Sequence, residues 1–492
     1  MSSIWRREAF IGATLKTERK LKDVKADVVV IGGGMAGILT AHLLQQQGVN
    51  PIVIEANKVG SGQTENTTAK ITALHGLKYD KLLNSMGEEI TKQYYQANTN
   101  AIQQYRSIIK KNNIECDFEE KDSYVYSRKY IENIEKEIKA TEVLKIPADF
   151  VKDTKLPFPI EGAIRFQNQA QFHPLKFLMS ISESLTIFED TKVISVEENI
   201  DSNNKKLKVI TEDGDIFTDW CVVATHFPFI NTSGFYFARM YQERSYVVAY
   251  DKAPDVNGMY IGDTTSDYSF RNYNGHLIIA GGNHRAGEPL PSNSYEIIRK
   301  AAKKFYPESI EKYHWSAQDC MTLDSIPYIG SYSSSLENVL VATGFEKWGM
   351  SSSMVSANIL KDRIIGKENE FSEAFSPQRF ELSAVSKNLL KNSLEAVKGI
   401  SKEGLSIPTK DVEDLQKGEA KRILFEGKKI GAFRDDNGKV HFVSTKCTHL
   451  GCQLEWNPNE LTWDCPCHGS RFTYKGNLLN NPALKDICID DE

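Results

Sequence analysis

The sequence predicts a three-part chain: an α/β unit on a parallel βαβ core, an α+β part rich in short strands, and a small all-β unit at the C-terminus. Three observations carry this. Asp27-Val-Val-Val-Ile31 is an apolar run that breaks abruptly into glycines and then into a helix-compatible stretch. From about residue 185 to 282, short strand patterns punctuated by turn residues dominate. From about residue 405 onward short strands again alternate with turns, and five of the eight cysteines (Cys447, Cys452, Cys465, Cys467 and Cys488) fall there. At 492 residues the chain is too long for one compact core, so two or three domains are expected.

The composition, 40% hydrophobic and 25% charged with 32 Gly and 16 Pro, is that of a globular protein. It excludes collagen-like, disordered and low-complexity classes. Sixty basic residues against 65 acidic ones leave a net charge of -5, too weak a field to invite nucleic acid or an anionic membrane. Met1 to Lys20 has no continuous apolar core of the signal-peptide kind. No uncharged apolar stretch reaches the ~20 residues of a membrane helix. The expectation is a soluble, cytoplasmic protein without a membrane span.

Gly32-Gly-Gly34-Met35-Ala36-Gly37 follows the first apolar run, and Ile38, Leu39, Ala41, Leu43 and Leu44 then fall on helical spacing up to Gly48. Pro51-Ile-Val-Ile-Glu55 reads as a second buried strand, completing a Rossmann-type βαβ unit. Gly32 permits the tight turn, Gly34 lets the backbone approach a pyrophosphate, and Gly37 lets helix and strand pack closely. The helix N-terminus then faces the phosphate charge. Glu55 is placed to accept hydrogen bonds from ribose hydroxyls. Strand, helix and acidic residue together set this apart from a glycine-rich turn of purely structural use.

Between Tyr79 and Ile114 apolar residues recur every three or four positions, which predicts long helices. Strands are predicted at Lys192 to Glu197, Leu207 to Thr211 and Trp220 to Thr225, and again at Asn338 to Ala342, with a helix from Met354 to Ile364. A polar connector, Gly366 to Pro377, leads to an amphipathic helix through Leu382, Val385, Leu389, Leu394 and Val397, closed by Gly399. Asp436-Asn437-Gly438 between two short apolar runs signals a β-hairpin.

Beyond the βαβ unit, Gly60-Ser61-Gly-Gln-Thr64, Thr67-Thr68-Ala-Lys70, Thr322-x-Asp324-x-x-Pro327 and Ala342-Thr-Gly344-Phe-Glu-Lys347-Trp-Gly349-Met350 resemble the D-amino-acid oxidase and glycine oxidase family of FAD-dependent oxidoreductases. The resemblance implies a FAD domain of separated segments with an antiparallel substrate domain between them, over residues 24–366. The FAD-binding segments are then about 24–100, 155–230 and 319–366, and the substrate-domain segments about 101–154 and 231–318. A helical linker follows at 367–404. The FAD contacts implied are Gly32, Gly34, Met35, Ala36, Gly37, Glu55, Ala56, Ser61, Thr68, Val193, Gly344, Gly349 and Met350. Trp220 to Thr225 looks like the later Rossmann strand, although His226 stands where a glycine is usual. Relatives that oxidise amino acids carry an Arg just upstream of Thr-x-Asp to hold the carboxylate; here the stretch is Asp319-Cys320-Met321. Lys347, His75 and Arg271 are the catalytic or substrate-binding candidates, with Arg239 and His173 as further basic residues. Cys320 raises a flavin thioether, in a register that differs from that of the relatives.

Cys447-x-His449-x-x-Cys452 and, 12 residues on, Cys465-x-Cys467-His468-Gly-Ser470 place thiols and imidazoles in two loop-like segments. Such a cluster points to metal. The pattern resembles the Rieske iron–sulfur family, with a domain at 405–492. That resemblance implies a [2Fe-2S] cluster with Cys447 and Cys465 on one iron and His449 and His468 on the other. It also implies a Cys452–Cys467 disulfide between the loops. Zinc held by the same Cys2His2 set is the alternative, but it explains neither the spare cysteine pair nor Gly469 and Ser470. Ser470 matches a serine that hydrogen-bonds a sulfide in high-potential members, whereas Phe472 replaces their tyrosine. Hydrogen bonds to sulfur stabilise the reduced cluster, so a potential below theirs is expected.

A flavin takes two electrons and a Rieske cluster carries one, so their fusion implies a two-to-one electron splitter. The expected activity is a dehydrogenase for a small amine or amino-acid-like substrate, passing electrons to a separate protein acceptor. Two alternatives stay open: a reductase fed through the cluster by a ferredoxin-like donor, and a non-catalytic redox relay or sensor.

Overall fold

A computed structural model describes residues 3–9, 21, 24–199, 206–231, 233–288, 293–379, 412–425 and 428–489. An eight-stranded sheet has Lys25–Ile31 at its centre, parallel to Pro51–Ile54 on one side and to Gly214–Val223 on the other. Thr186–Phe188 and Leu336–Thr343 extend it in parallel, and Tyr328–Ser333 closes one edge antiparallel. The central strand alternates between two cores: Val28 and Val30 enter one cluster of buried side chains, Val29 and Ile31 another. Burial on both faces is what an unbroken Val/Ile run requires and what a parallel sheet supplies. The helix Met35–Gln45 covers one face beside the helix Gly349–Ile364.

A nine-stranded, largely antiparallel sheet forms the second layer. Its long strands, Met240–Asp251 and Ile310–Thr322, pair along almost their full length. Gly162–Gln171, which lies in a stretch expected to serve the nucleotide unit, pairs here with Glu119–Ser127. The two sheets thus interleave along the chain more finely than the expected segment bounds. The long helix Tyr79–Lys111 bends at Gly87, whose φ of 82° is non-helical. The charged N-terminal lead-in contains a short helix, Ile4–Ala9. Trp5 is fully buried there and its indole N–H donates to the Thr67 carbonyl at 2.7 Å.

The connector after Gly366 holds a short helix, Ser372–Phe375, and ends with Arg379 forked onto Asp324 at 3.0 and 3.1 Å. The amphipathic helix expected through Leu382 to Val397 lies outside the described residues. The C-terminal unit is all β: a three-stranded sheet (Ala420–Phe425, Lys428–Arg434, Val440–Ser444) and a four-stranded one (Glu455–Asn457, Thr462–Asp464, Arg471–Thr473, Leu478–Asn480). The hairpin turn rests on Asp435, whose carboxylate accepts from the backbone N–H groups of Asn437 and Lys439 at 3.0 Å. The loop before Glu455 and the loop before Arg471 are tied by a Cys452–Cys467 disulfide that closes 15 residues of chain. Among the described residues no helix is long and apolar enough to cross a membrane.

Two outcomes follow from this packing. A Cβ on Gly37 falls 1.9 Å from the Gly32 carbonyl oxygen, so Gly37→Ala is expected to cost about 1–3 kcal/mol by overpacking; denaturant titration and bound-flavin content measure it. The Cys452→Ser, Cys467→Ser double variant is expected to lose about 3 kcal/mol, the chain-entropy value for a loop of this length. The urea midpoint for loss of the cluster's visible absorbance reads that change.

Candidate functional site

A cavity of about 960 Å³ opens where the ends of the parallel strands meet the antiparallel sheet. Its size is at the upper end of the ~300–1,000 Å³ typical of small-molecule sites. Gly32, with φ of 112°, turns the chain at the first strand's end; a Cβ there would lie 2.5 Å from the Ala224 carbonyl oxygen. Gly34, Met35 and Ala36 then present the helix N-terminus to the cavity. The Thr64 hydroxyl accepts from the Met35 N–H at 3.0 Å. Glu55 lines the cavity too, its two carboxylate oxygens accepting from Gly33 N–H at 2.7 Å and Asn57 N–H at 2.8 Å. Burial pushes its pKa up, and those two hydrogen bonds oppose the shift. A glycine-only turn, a helix N-terminus at the cavity and a fixed carboxylate are what a dinucleotide needs. The residues present fit one.

Ala56, Ser61, Thr68, Val193, Gly349 and Met350 also line the cavity. Gly37 and Gly344 do not. Gly37 acts through the close helix–strand contact, and Gly344 (φ 71°) packs where a Cβ would sit 2.3 Å from Thr322. His226 faces the cavity with φ of 64°, the left-handed backbone that the usual glycine adopts freely. Cys320 is fully buried in the core cluster that holds Met240 and Tyr328, not against the cavity.

The three substrate candidates separate. Lys347 lines the cavity, with its ammonium 3.2 Å from Glu243. His75 does not reach it: Tyr94 hydroxyl (2.5 Å), Thr72 carbonyl (2.7 Å) and Ser351 hydroxyl (3.0 Å) hold its ring behind Trp348, on which it stacks. Burial and the nearby Lys78 charge hold it neutral. Arg271 does not reach it either; it is fully buried and donates to the Thr68 and Ala69 carbonyls at 2.8 Å, bracing the loop behind the cavity wall. His173 caps the helix Pro174–Ser182, and Arg239 donates to the Pro377 carbonyl.

Sequence reading missed two cavity charges. Lys70 is buried, donates to Thr68 and Ser269 hydroxyls, and has its pKa lowered to about 7 by burial and then by Arg271. Asp319 is buried with its pKa raised to about 6, first by burial, and accepts from the Gln63 amide at 3.2 Å. Burial was the missing signal for both. Neither Thr67-Thr-Ala-Lys70 nor Asp319-Cys320-Met321 carries a spacing that reveals it.

In the C-terminal unit, the paired loops bring Cys447 and Cys465 within hydrogen-bonding reach of each other, which lowers the Cys447 pKa and raises that of Cys465. The His449 and His468 rings lie 5.0 Å apart and nearly perpendicular. Both Nδ1 atoms are buried and have no partner among the described residues. Burial lowers the pKa values of His449 to about 4 and of His468 to about 3, so both rings are neutral. The sulfurs of Cys452, Cys465 and Cys467 also cluster within 4.8 Å. Two of these are joined in the disulfide and offer no thiolate. Two free thiols plus two neutral imidazoles with orphaned nitrogens fit a two-iron cluster. Ser470 is fully buried next to the set, its hydroxyl accepting from Ala483 N–H at 2.9 Å, and Phe472 packs in the same buried cluster as Cys447 and Cys465.

Comparison with known proteins gives the same two parts. Residues 27–363 match the FAD dependent oxidoreductase (DAO) family, and residues 406–489 match the Rieske [2Fe-2S] domain. The protein YhfW of Bacillus subtilis (strain 168) is 38% identical over 480 residues, covering 95% of this chain and 93% of that protein. The cytochrome b6-f complex iron-sulfur subunit of Synechococcus sp. (strain JA-3-3Ab) is 41% identical over 54 residues, 11% of this chain and 31% of that subunit. Among solved structures, an L-amino acid deaminase from Proteus vulgaris superposes with a TM-score of 0.59 at 18% identity, over 76% of this chain and 98% of its own. Glycine oxidase from Bacillus cereus ATCC 14579 gives 0.57 at 18%, over 70% and 96%. The chain belongs to the FAD dependent oxidoreductase family, with FAD as its cofactor and a C-terminal Rieske domain that binds a [2Fe-2S] cluster.

Proposed function

We propose that the protein is a dehydrogenase that oxidises a C–N bond in a small amine or amino-acid-like substrate and passes the electrons, one at a time, to a separate acceptor. The observation that carries this reading is a shared wall: Glu460, Arg471, Leu479, Asn480, Asn481 and Leu484 of the C-terminal unit line the same cavity as the glycine-rich turn. The names borne by similar structures, L-amino acid deaminase, L-proline dehydrogenase and glycine oxidase, support a C–N bond as the target. When bound, the flavin supplies a two-electron acceptor for hydride from the carbon beside nitrogen, whose proton goes to solvent, and the cluster supplies a one-electron exit.

The chain's own residues do the rest. Gly32, Gly34, Met35 and Ala36 would seat the pyrophosphate at the helix N-terminus, and Glu55 would accept from the ribose hydroxyls. Cys447 and Cys465 hold one iron; the His449 and His468 Nδ1 atoms hold the other. Lys347 gives the cavity a positive charge, and Lys70 (pKa about 7) and Asp319 (pKa about 6) add one basic and one acidic group that titrate near neutral pH, which suits a substrate carrying an amine with or without a carboxylate. No strong side-chain base is required if the amine arrives neutral.

An anaerobic redox titration following flavin absorbance and reduced-cluster EPR together tests the direction of flow. A cluster midpoint above the flavin's is expected. A cluster below the flavin would reverse the direction to a reductase, and stoichiometric zinc without an EPR signal would remove the cluster. The same titration of Phe472→Tyr is expected to show a midpoint raised by about 20–60 mV. That range is one net hydrogen bond of ~0.5–1.5 kcal/mol on a one-electron scale of ~59 mV per 1.4 kcal/mol. An unshifted midpoint would count against Phe472 as the cause of a low potential.

A further inference from the structure

We infer that Gln242 and Gln318 form a fixed junction between the flavin chamber and the cluster-binding loop, so that electrons cross within one chain while the Rieske domain stays docked. The inference rests on the flavin-to-cluster route proposed above. Both side chains line the cavity, and they are only 1% and 2% exposed. They sit on the paired strands Met240–Asp251 and Ile310–Thr322. Gln242 stands opposite Cys320, so Gln318 is its diagonal neighbour on the same face of the sheet.

The amides connect in series. The Gln318 amide donates to the Gln242 side-chain carbonyl and to the Gly469 carbonyl at 2.8 Å. The Gln242 amide donates to the His468 carbonyl at 2.7 Å and to the Asn481 carbonyl at 3.0 Å. One end of the chain therefore faces the flavin chamber and the other ends on the backbone of a cluster ligand. The Gln318 Oε1 atom is buried and has no hydrogen-bond partner among the described residues.

Close packing leaves no room for the loop to slide. A Cβ on Gly469 would lie 2.6 Å from Gln242 Cβ, and one on Gly287 would lie 2.2 Å from the Pro466 nitrogen. Glu460 adds a clamp a few residues away. Its carboxylate accepts from Arg244 at 3.1 Å, Tyr295 hydroxyl at 3.0 Å and Ser316 hydroxyl at 2.7 Å, all from the antiparallel sheet or the helix on it. A swing of the domain would strip these charges of partners and open both glutamines to water. Phe237 further covers the imidazoles of His449 and His468 edge-on at 5.2 and 5.4 Å.

The test uses the full-length holoprotein under anaerobic conditions, with 5-deazariboflavin and EDTA under a light flash as the electron source. The flavin radical formed should reduce the cluster at a rate that does not change with added glycerol. A rate falling in proportion to viscosity would mean that the domain swings, and would overturn the junction. In Gln242→Ala/Gln318→Ala, and in Gln318→Met, which keeps length but removes the donor, that rate should fall at least tenfold. The EPR splitting between flavin semiquinone and reduced cluster should also change. An unchanged rate and splitting in the variants would overturn the junction while leaving the flavin-to-cluster route standing. Absence of any flavin-to-cluster transfer in the unmodified protein would instead overturn the route itself.

Discussion

The position of the cluster-binding loop depends on one carboxylate. Glu460 leaves the C-terminal unit and meets Arg244, Tyr295 and Ser316 at the edge of the cavity, with the Arg471 guanidinium 3.8 Å away. Arg471 in turn is held by Asp464, which immediately precedes Cys465. The ion network thus runs from the antiparallel sheet to the residue next to a cluster ligand. Removing one member of a buried pair of this kind typically costs about 3–5 kcal/mol, because the remaining charge is left uncompensated. Such a network contributes less net stability than an apolar contact of similar area, but it tolerates few alternative placements. That suits a redox pair whose separation has to be reproducible.

The same logic explains the cavity. Its nucleotide end is built from backbone: a glycine turn, a helix N-terminus and a carboxylate already engaged by two N–H groups. Its other end is built from residues on five strands of the antiparallel sheet and from the Rieske unit. A bound flavin is therefore enclosed by three parts of the chain that are far apart in sequence. Loss of any one opens the chamber to water, which weakens the electrostatic effect of Lys70, Asp319 and Lys347 on whatever binds there.

Much of this was legible in the sequence wherever function demands a residue type at a fixed local spacing. The glycines at 32, 34 and 37, the acidic residue closing the second strand and the paired Cys/His loops are all of that kind. Cys452 and Cys467 meet in a disulfide as the Rieske resemblance implied. Burial was not legible. Arg271 reads as a free cation in sequence, yet it is fully buried, with Nη1 shared between the Thr68 and Ala69 carbonyls. His75 reads as a pocket residue, yet it lies one ring too deep, behind Trp348. The interface was the least visible of all. Gln242 and Gln318 contact residues more than 150 positions away, and an uncharged amide in a strand leaves no periodic or compositional mark.

The two imidazoles differ in their surroundings. His468 is 8% exposed and its backbone is held by Gln242, whereas His449 is half-buried and followed by Leu450, which is 52% exposed. On the electron route proposed above, His468 would mark the inner side of the cluster and His449 an outer side reached over Leu450. A redox partner approaching there would meet the second imidazole without coming near the substrate. The two half-reactions would then be insulated from each other, so that the chamber could empty and refill on its own schedule while a single electron waits for its carrier.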